Sequence, residues 1–184
     1  MMKNKKTILI LLFLIVILTI IGIIIARYRS KADSSEEIDI AFYVFESGVI
    51  SENLNLESMV PRAEPYNYTL KVSNNQDEKI SETVIEYTIQ IKATTNLPLD
   101  YSLTDEEGNS IPFGTKNDDG IITDEYGVYY IERISPVKEL GLEKEEHVYT
   151  LSILFPEEYK SNTEYADVME LVEITIDSKQ KIEE

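Results

Sequence analysis

The sequence predicts an all-β protein, an antiparallel two-sheet β-sandwich of immunoglobulin-like or jelly-roll type, preceded by one N-terminal transmembrane helix. Three observations carry this expectation. Residues 7–26 form an unbroken apolar run. The pattern Tyr-Thr-aliphatic-polar-aliphatic occurs three times, beginning at Tyr68, Tyr87 and Tyr149. Short alternating segments are separated by turn signals rich in Gly, Asn and Asp, as in sheets built from many short strands.

The apolar run TILILLFLIVILTIIGIIIA would make a helix of about 30 Å, the thickness of a bilayer's hydrocarbon core. Its β-branched residues are mediocre helix formers in water, but lipid requires every backbone group to be bonded internally. Lys3, Lys5 and Lys6 precede it, and Arg27, Arg29 and Lys31 follow. The run is longer than a secretory signal's apolar stretch and leads straight into basic residues, so a retained anchor is expected. This divides the chain into a short cytoplasmic N-terminus (1–6), a transmembrane helix (7–26), a polar stalk (27–37), an extracytoplasmic domain (38–177) and a polar, frayed tail (178–184). The flanking basic counts are balanced, and the composition downstream places the C-terminal domain outside the cell membrane.

Residues 32–184 hold eleven Lys and Arg against all thirty-four acids, a formal charge of −23. Nucleic acid and anionic headgroups repel such a domain, leaving the single-pass anchor as its contact with the membrane. With no cysteine, the chain has no disulfides, thiol chemistry or acylated anchor. An exported domain without disulfides suits a bacterial envelope.

The strands follow from period-two alternation. In the three Tyr-Thr segments, 68–72, 87–91 and 149–153, a Tyr and two aliphatics share one face, and polar residues take the other. Further strands are expected at 38–46, 99–104, 128–134 and 172–177. Turns are expected at 73–75, 107–109, 118–120 and 140–141, and one short helix at 163–170.

Chemistry is sparse. His147 is the single histidine, so neither a typical zinc-protease site nor a His-based triad can be assembled from a second one. Its expected place is a strand edge near a loop. Thirty-four acids guarantee coincidental carboxylate pairs, and no pair stands out as a glycosidase site. Tyr68, Tyr87 and Tyr149 fall on the core face and are expected to pack. A weak calcium candidate lies in the acidic loop at Asp118, Asp119 and Asp124, but aligning an EF-hand on Gly120 puts Thr115 and Tyr126 at the first and twelfth ligand positions. The simpler reading is a hairpin turn with Asp-Gly at its corner. No catalytic residue, bound cofactor or established metal site is expected.

The segments YNYTLKVSN (66–74), VIEYTIQI (84–91), TNLPLDYSL (95–103), YTLSILFP (149–156) and LVEITI (171–176) resemble the TasA and camelysin-like exported proteins of Gram-positive bacteria. That resemblance implies a β-sandwich component of the cell surface or matrix fibres. Two departures are plain: the apolar segment is longer than a cleavable leader, and no metal-binding cluster accompanies it. The expected function is therefore that of a membrane-anchored structural or interaction protein, envelope, matrix or pilus associated and not an enzyme. Its expected protein partner binds through a sheet edge. The alternative is an extracytoplasmic ligand-binding or sensory module of a membrane complex.

Overall fold

The computed structural model describes residues 38–44, 48–54, 56, 59–115, 120–123, 125–165 and 168–182. The expected anchor and stalk lie outside them; among the described residues no helix is long and apolar enough to cross a membrane. The strands are β1 (Ile38–Tyr43), β2 (Gly48–Leu54), β3 (Tyr66–Ser73), β4 (Asn75–Gln76), β5 (Lys79–Ile80), β6 (Ile85–Thr94) and β7 (Asp100–Asp105). They continue with β8 (Ser110–Ile111), β9 (Gly114–Thr115), β10 (Ile121–Thr123), β11 (Tyr129–Ile134), β12 (Lys138–Leu140), β13 (Glu146–Leu154) and β14 (Val172–Gln180).

Two sheets form the sandwich. One runs β1-β3-β13-β7-β8 and the other β10-β11-β6-β14-β2, with β9 on β11 and β12 on β6. The antiparallel pairs are nested: β7 with β8, then β6 with β11, β3 with β13, and β2 with β14. Among these eight strands, β7 and β8 alone are both consecutive and side by side. Their turn is tied by Asp105, whose carboxylate accepts from the backbone and side-chain nitrogens of Asn109 at 2.7 and 3.0 Å. Gly108 supplies the positive φ of +83° that this turn requires.

The alternation in the sequence becomes burial. Tyr68, Leu70, Val72, Tyr87, Ile89, Ile91, Tyr149, Leu151 and Ile153 all lie in one core with Val172, Ile174 and Ile176. At about 25 cal/mol per Å² of apolar surface removed from water, this face dominates the stability of the fold. Between β11 and β12, Pro136 interrupts a run that would otherwise pair continuously with β6. Ser135 repairs the gap: its N–H donates to the Ile89 carbonyl at 2.9 Å, and its Oγ accepts the Ile89 N–H at 2.9 Å.

Several expectations are corrected. The sandwich is not wholly antiparallel, because β1 pairs with β3 in parallel register, Ile38 opposite Tyr68. The chain enters along β3 and then crosses to the other sheet for β2, so no hairpin reverses it. Among the described residues of the expected helix at 163–170, Thr163–Tyr165 form a 3-10 turn, and another 3-10 turn, Glu157–Ser161, precedes it. The domain does not end at 177. Ser178, Lys179 and Gln180 extend β14 opposite Tyr87, Glu86 and Ile85, and the Lys181 N–H reaches the Val84 carbonyl at 2.8 Å. Charge pairs hold this polar stretch, Lys179 to Glu86 at 3.0 Å and Lys181 to Glu139 at 2.7 Å.

Candidate functional site

Two polar clusters lie between the sheets. In the first, Tyr87 projects inward from β6, and His147 and Tyr149 project inward from β13. The Tyr87 hydroxyl lies 2.6 Å from the Tyr149 hydroxyl and 2.7 Å from His147 Nδ1. In the tautomer that leaves Nδ1 bare, Tyr149 donates to Tyr87 and Tyr87 donates to the ring, closing a three-member chain across the sheets. Burial lowers the His147 pKa, with the Glu145 charge opposing and Lys138 reinforcing. Burial raises both phenols, and for Tyr87 the hydrogen-bonded Tyr149 adds to the rise. No phenol here ionises near neutral pH. This chemistry tethers β6 to β13.

The loop beside this cluster is built around a fully buried Asn74. Its Nδ2 donates to the Gly141 and Glu143 carbonyls at 2.9 and 2.7 Å, and its Oδ1 accepts the Glu145 N–H at 2.9 Å. Glu145 in turn accepts the Gly141 N–H at 2.7 Å. The turn signals Ser73-Asn74-Asn75 and Leu140-Gly141 therefore serve one another across the fold, a pairing that local sequence does not display.

The second cluster is Tyr101 on β7, Arg133 on β11, and Glu170 just ahead of β14. Tyr101 lies opposite Ile153 and Arg133 opposite Ile91, so both occupy core-facing phases. The Arg133 guanidinium carbon sits 4.4 Å over the Tyr101 ring. Glu170 is 7% exposed. Its Oε2 accepts the backbone N–H groups of Asn96 and Leu97 at 3.0 and 2.9 Å, pinning the crossover from β6 to β7. Burial raises the Glu170 pKa against these bonds and the Arg133 charge, which lower it. Burial also lowers Arg133, opposed by Tyr101 and Glu170, and raises Tyr101. Sequence reading missed this cluster: Arg133 lies in a segment, Tyr129–Ile134, where both faces mix apolar and polar residues.

The remaining feature is β2. It pairs with β14, and among the described residues no strand lies on its other side. Six of its seven residues are exposed, with Val49 at 66%. Glu52 lies opposite the buried Ile174, so a charge occupies a core-phase position on this edge.

His147, expected at a strand edge near a loop, stands second in β13, half-buried and bonded inward to Tyr87. Tyr68, Tyr87 and Tyr149 pack in the core as expected. The calcium candidates Asp118, Asp119 and Asp124 lie outside the described residues. Among the described residues, no group of three His, Asp or Glu side chains converges to hold a metal ion.

No protein-family model matches the chain, and no curated protein matches it. Among solved structures, it is similar to the pre-peptidase C-terminal domain of a collagenase from Bacillus anthracis. That likeness has a TM-score of 0.34 and 8% identity, over 78% of this chain and 95% of that domain.

Proposed function

We propose that this chain is a membrane-anchored cell-surface protein of structural or interaction type, envelope, matrix or pilus associated, whose acidic domain stands outside the membrane on a short stalk. We read the sandwich as a jelly-roll: four nested antiparallel pairs divided between the two sheets support it, with β1, β9, β10 and β12 as added strands. Immunoglobulin order, with hairpin partners side by side, is disfavoured by the same pairing.

The observation that carries the functional reading is β2, an edge strand among the described residues. Unpaired N–H and C=O groups along an edge strand recruit an added strand from a partner. Glu52 in a core-phase position blunts pairing between identical copies, since two such edges would bring like charges together. A strand with Lys or Arg opposite Glu52 would escape that penalty, and the charge of −23 on residues 32–184 favours the same choice. The proposed partner is therefore a protein segment, less acidic than this domain, added at β2.

Topology provides the test. Protease added to intact, wall-stripped cells is expected to remove the acidic domain and leave a membrane-retained stub. Full protection of the domain, or a native chain that begins after residue 30, overturns the anchored reading.

A further inference from the structure

Folded proteins bond nearly all their buried polar atoms to protein groups or ordered water. Three buried atoms of the second cluster, Glu170 Oε1, Tyr101 Oη and Arg133 Nη1, have no protein partner. They come from both sheets and from the segment that precedes β14. Their electrostatic coupling is mutual, since each of the three groups feels at least one of the others. Glu170 and Arg133 would satisfy each other if they touched, but Oε1 and Nη1 are both left over, so the two charges do not bond directly.

The three atoms define what could bond to them. A cation is repelled by Arg133 and an anion by Glu170, while an apolar molecule would leave all three unbonded. A small neutral molecule that donates and accepts meets every requirement. Water accepts from Nη1, donates to Oε1 and exchanges a hydrogen bond with the Tyr101 hydroxyl, the roughly three bonds typical of a buried water. We infer that Tyr101, Arg133 and Glu170 form a water-binding site in which an ordered water bridges the two charges. This hydrated pair fastens the crossover between the sheets, because the other oxygen of Glu170 holds the Asn96 and Leu97 amides.

The test uses the full-length chain in detergent micelles. A crystal structure at a resolution that shows solvent is expected to place a water within hydrogen-bond reach of at least two of the three atoms. Oxygen-17 relaxation dispersion provides a second reading. The double variant Arg133→Met with Glu170→Gln is expected to hold one fewer long-lived water than the native chain, and Tyr101→Phe, the milder change, to shorten that water's residence time. A direct Glu170–Arg133 bond with no water, a bound ion at the site, or a dispersion amplitude that neither variant changes would overturn the inference.

Discussion

Tyr87, His147 and Tyr149 form one inter-sheet polar cluster on β6 and β13, and Tyr101, Arg133 and Glu170 form another, with Tyr101 and Arg133 on the neighbouring strands β7 and β11. On β6, Ile89 separates Tyr87 from the Arg133 level, and on β13, Leu151 separates Tyr149 from the Tyr101 level; both spacers are fully buried. The first cluster closes its hydrogen bonds within itself at 2.6 and 2.7 Å. The second leaves three polar atoms open. The difference lies in composition. Phenols and an imidazole each donate and accept, so they can chain together neutrally, whereas a carboxylate accepts and a guanidinium donates, and both carry charge into a poor solvent. The neutral cluster stiffens the core at little electrostatic cost, and the charged one depends on its environment.

The largest test of this contrast removes one charge. Arg133→Met leaves Glu170 buried without its counter-charge and is expected to cost about 3 kcal/mol, the low end for breaking a buried pair, because Arg133 is half-buried. Adding Glu170→Gln should recover part of that loss, since the amide still offers an acceptor to the Asn96 and Leu97 N–H groups. Denaturant unfolding of the single and double variants measures it. A double variant at least as unstable as the sum of the singles would mean that the charges do not interact.

The neutral cluster should respond more gently. Tyr87→Phe keeps the ring but deprives both the Tyr149 hydroxyl and His147 Nδ1 of their shared partner, an expected loss of about 1–2 kcal/mol. Tyr149→Phe should cost less, because it removes the end of the chain and leaves the Tyr87–His147 bond intact. If both variants cost the same, the hydroxyls are bonded in some other order.

Much of this architecture was legible in the sequence. The threefold Tyr-Thr pattern located β3, β6 and β13 with the correct faces inward, because strict alternation leaves one buried solution. β2, with sequence GVISENL, has no such alternation and is a strand because β14 offers it a partner. The polar end of β14 read as a tail for the same reason: its register is set by β6 and by ion pairs with Glu86 and Glu139. The clusters themselves join residues separated by about sixty positions or by a crossover, as Tyr87 and Tyr149 are by 62. Alternation told which way those side chains point, but not what they meet.

The smallest expected effect is also the one that separates the clusters by sign. Burial lowers the folded-state pKa of His147, so the unfolded chain takes up its proton first as the pH falls. The stability this residue contributes is fully present above its unfolded value near 6.5 and is lost as pH falls through the depressed folded value. Glu170 runs the other way. Its folded pKa is raised, so its contribution is greatest below the unfolded value near 4.3 and is lost as pH rises through the elevated folded value. The relief of acidic self-repulsion on acidification is common to every variant, so the comparison is made on differences from the native chain. His147→Gln should lose the native chain's gain in melting temperature as pH rises towards the unfolded histidine value near 6.5, and Glu170→Gln should lose its decline above the unfolded carboxyl value near 4.3. The His147 effect should be the smaller, since that ring is half-exposed and its protonated Nδ1 can donate to Tyr87 by reversing the hydrogen-bond chain. Parallel melting curves for the native chain and both variants across pH 4–8 would erase the distinction between a neutral and a charged cluster.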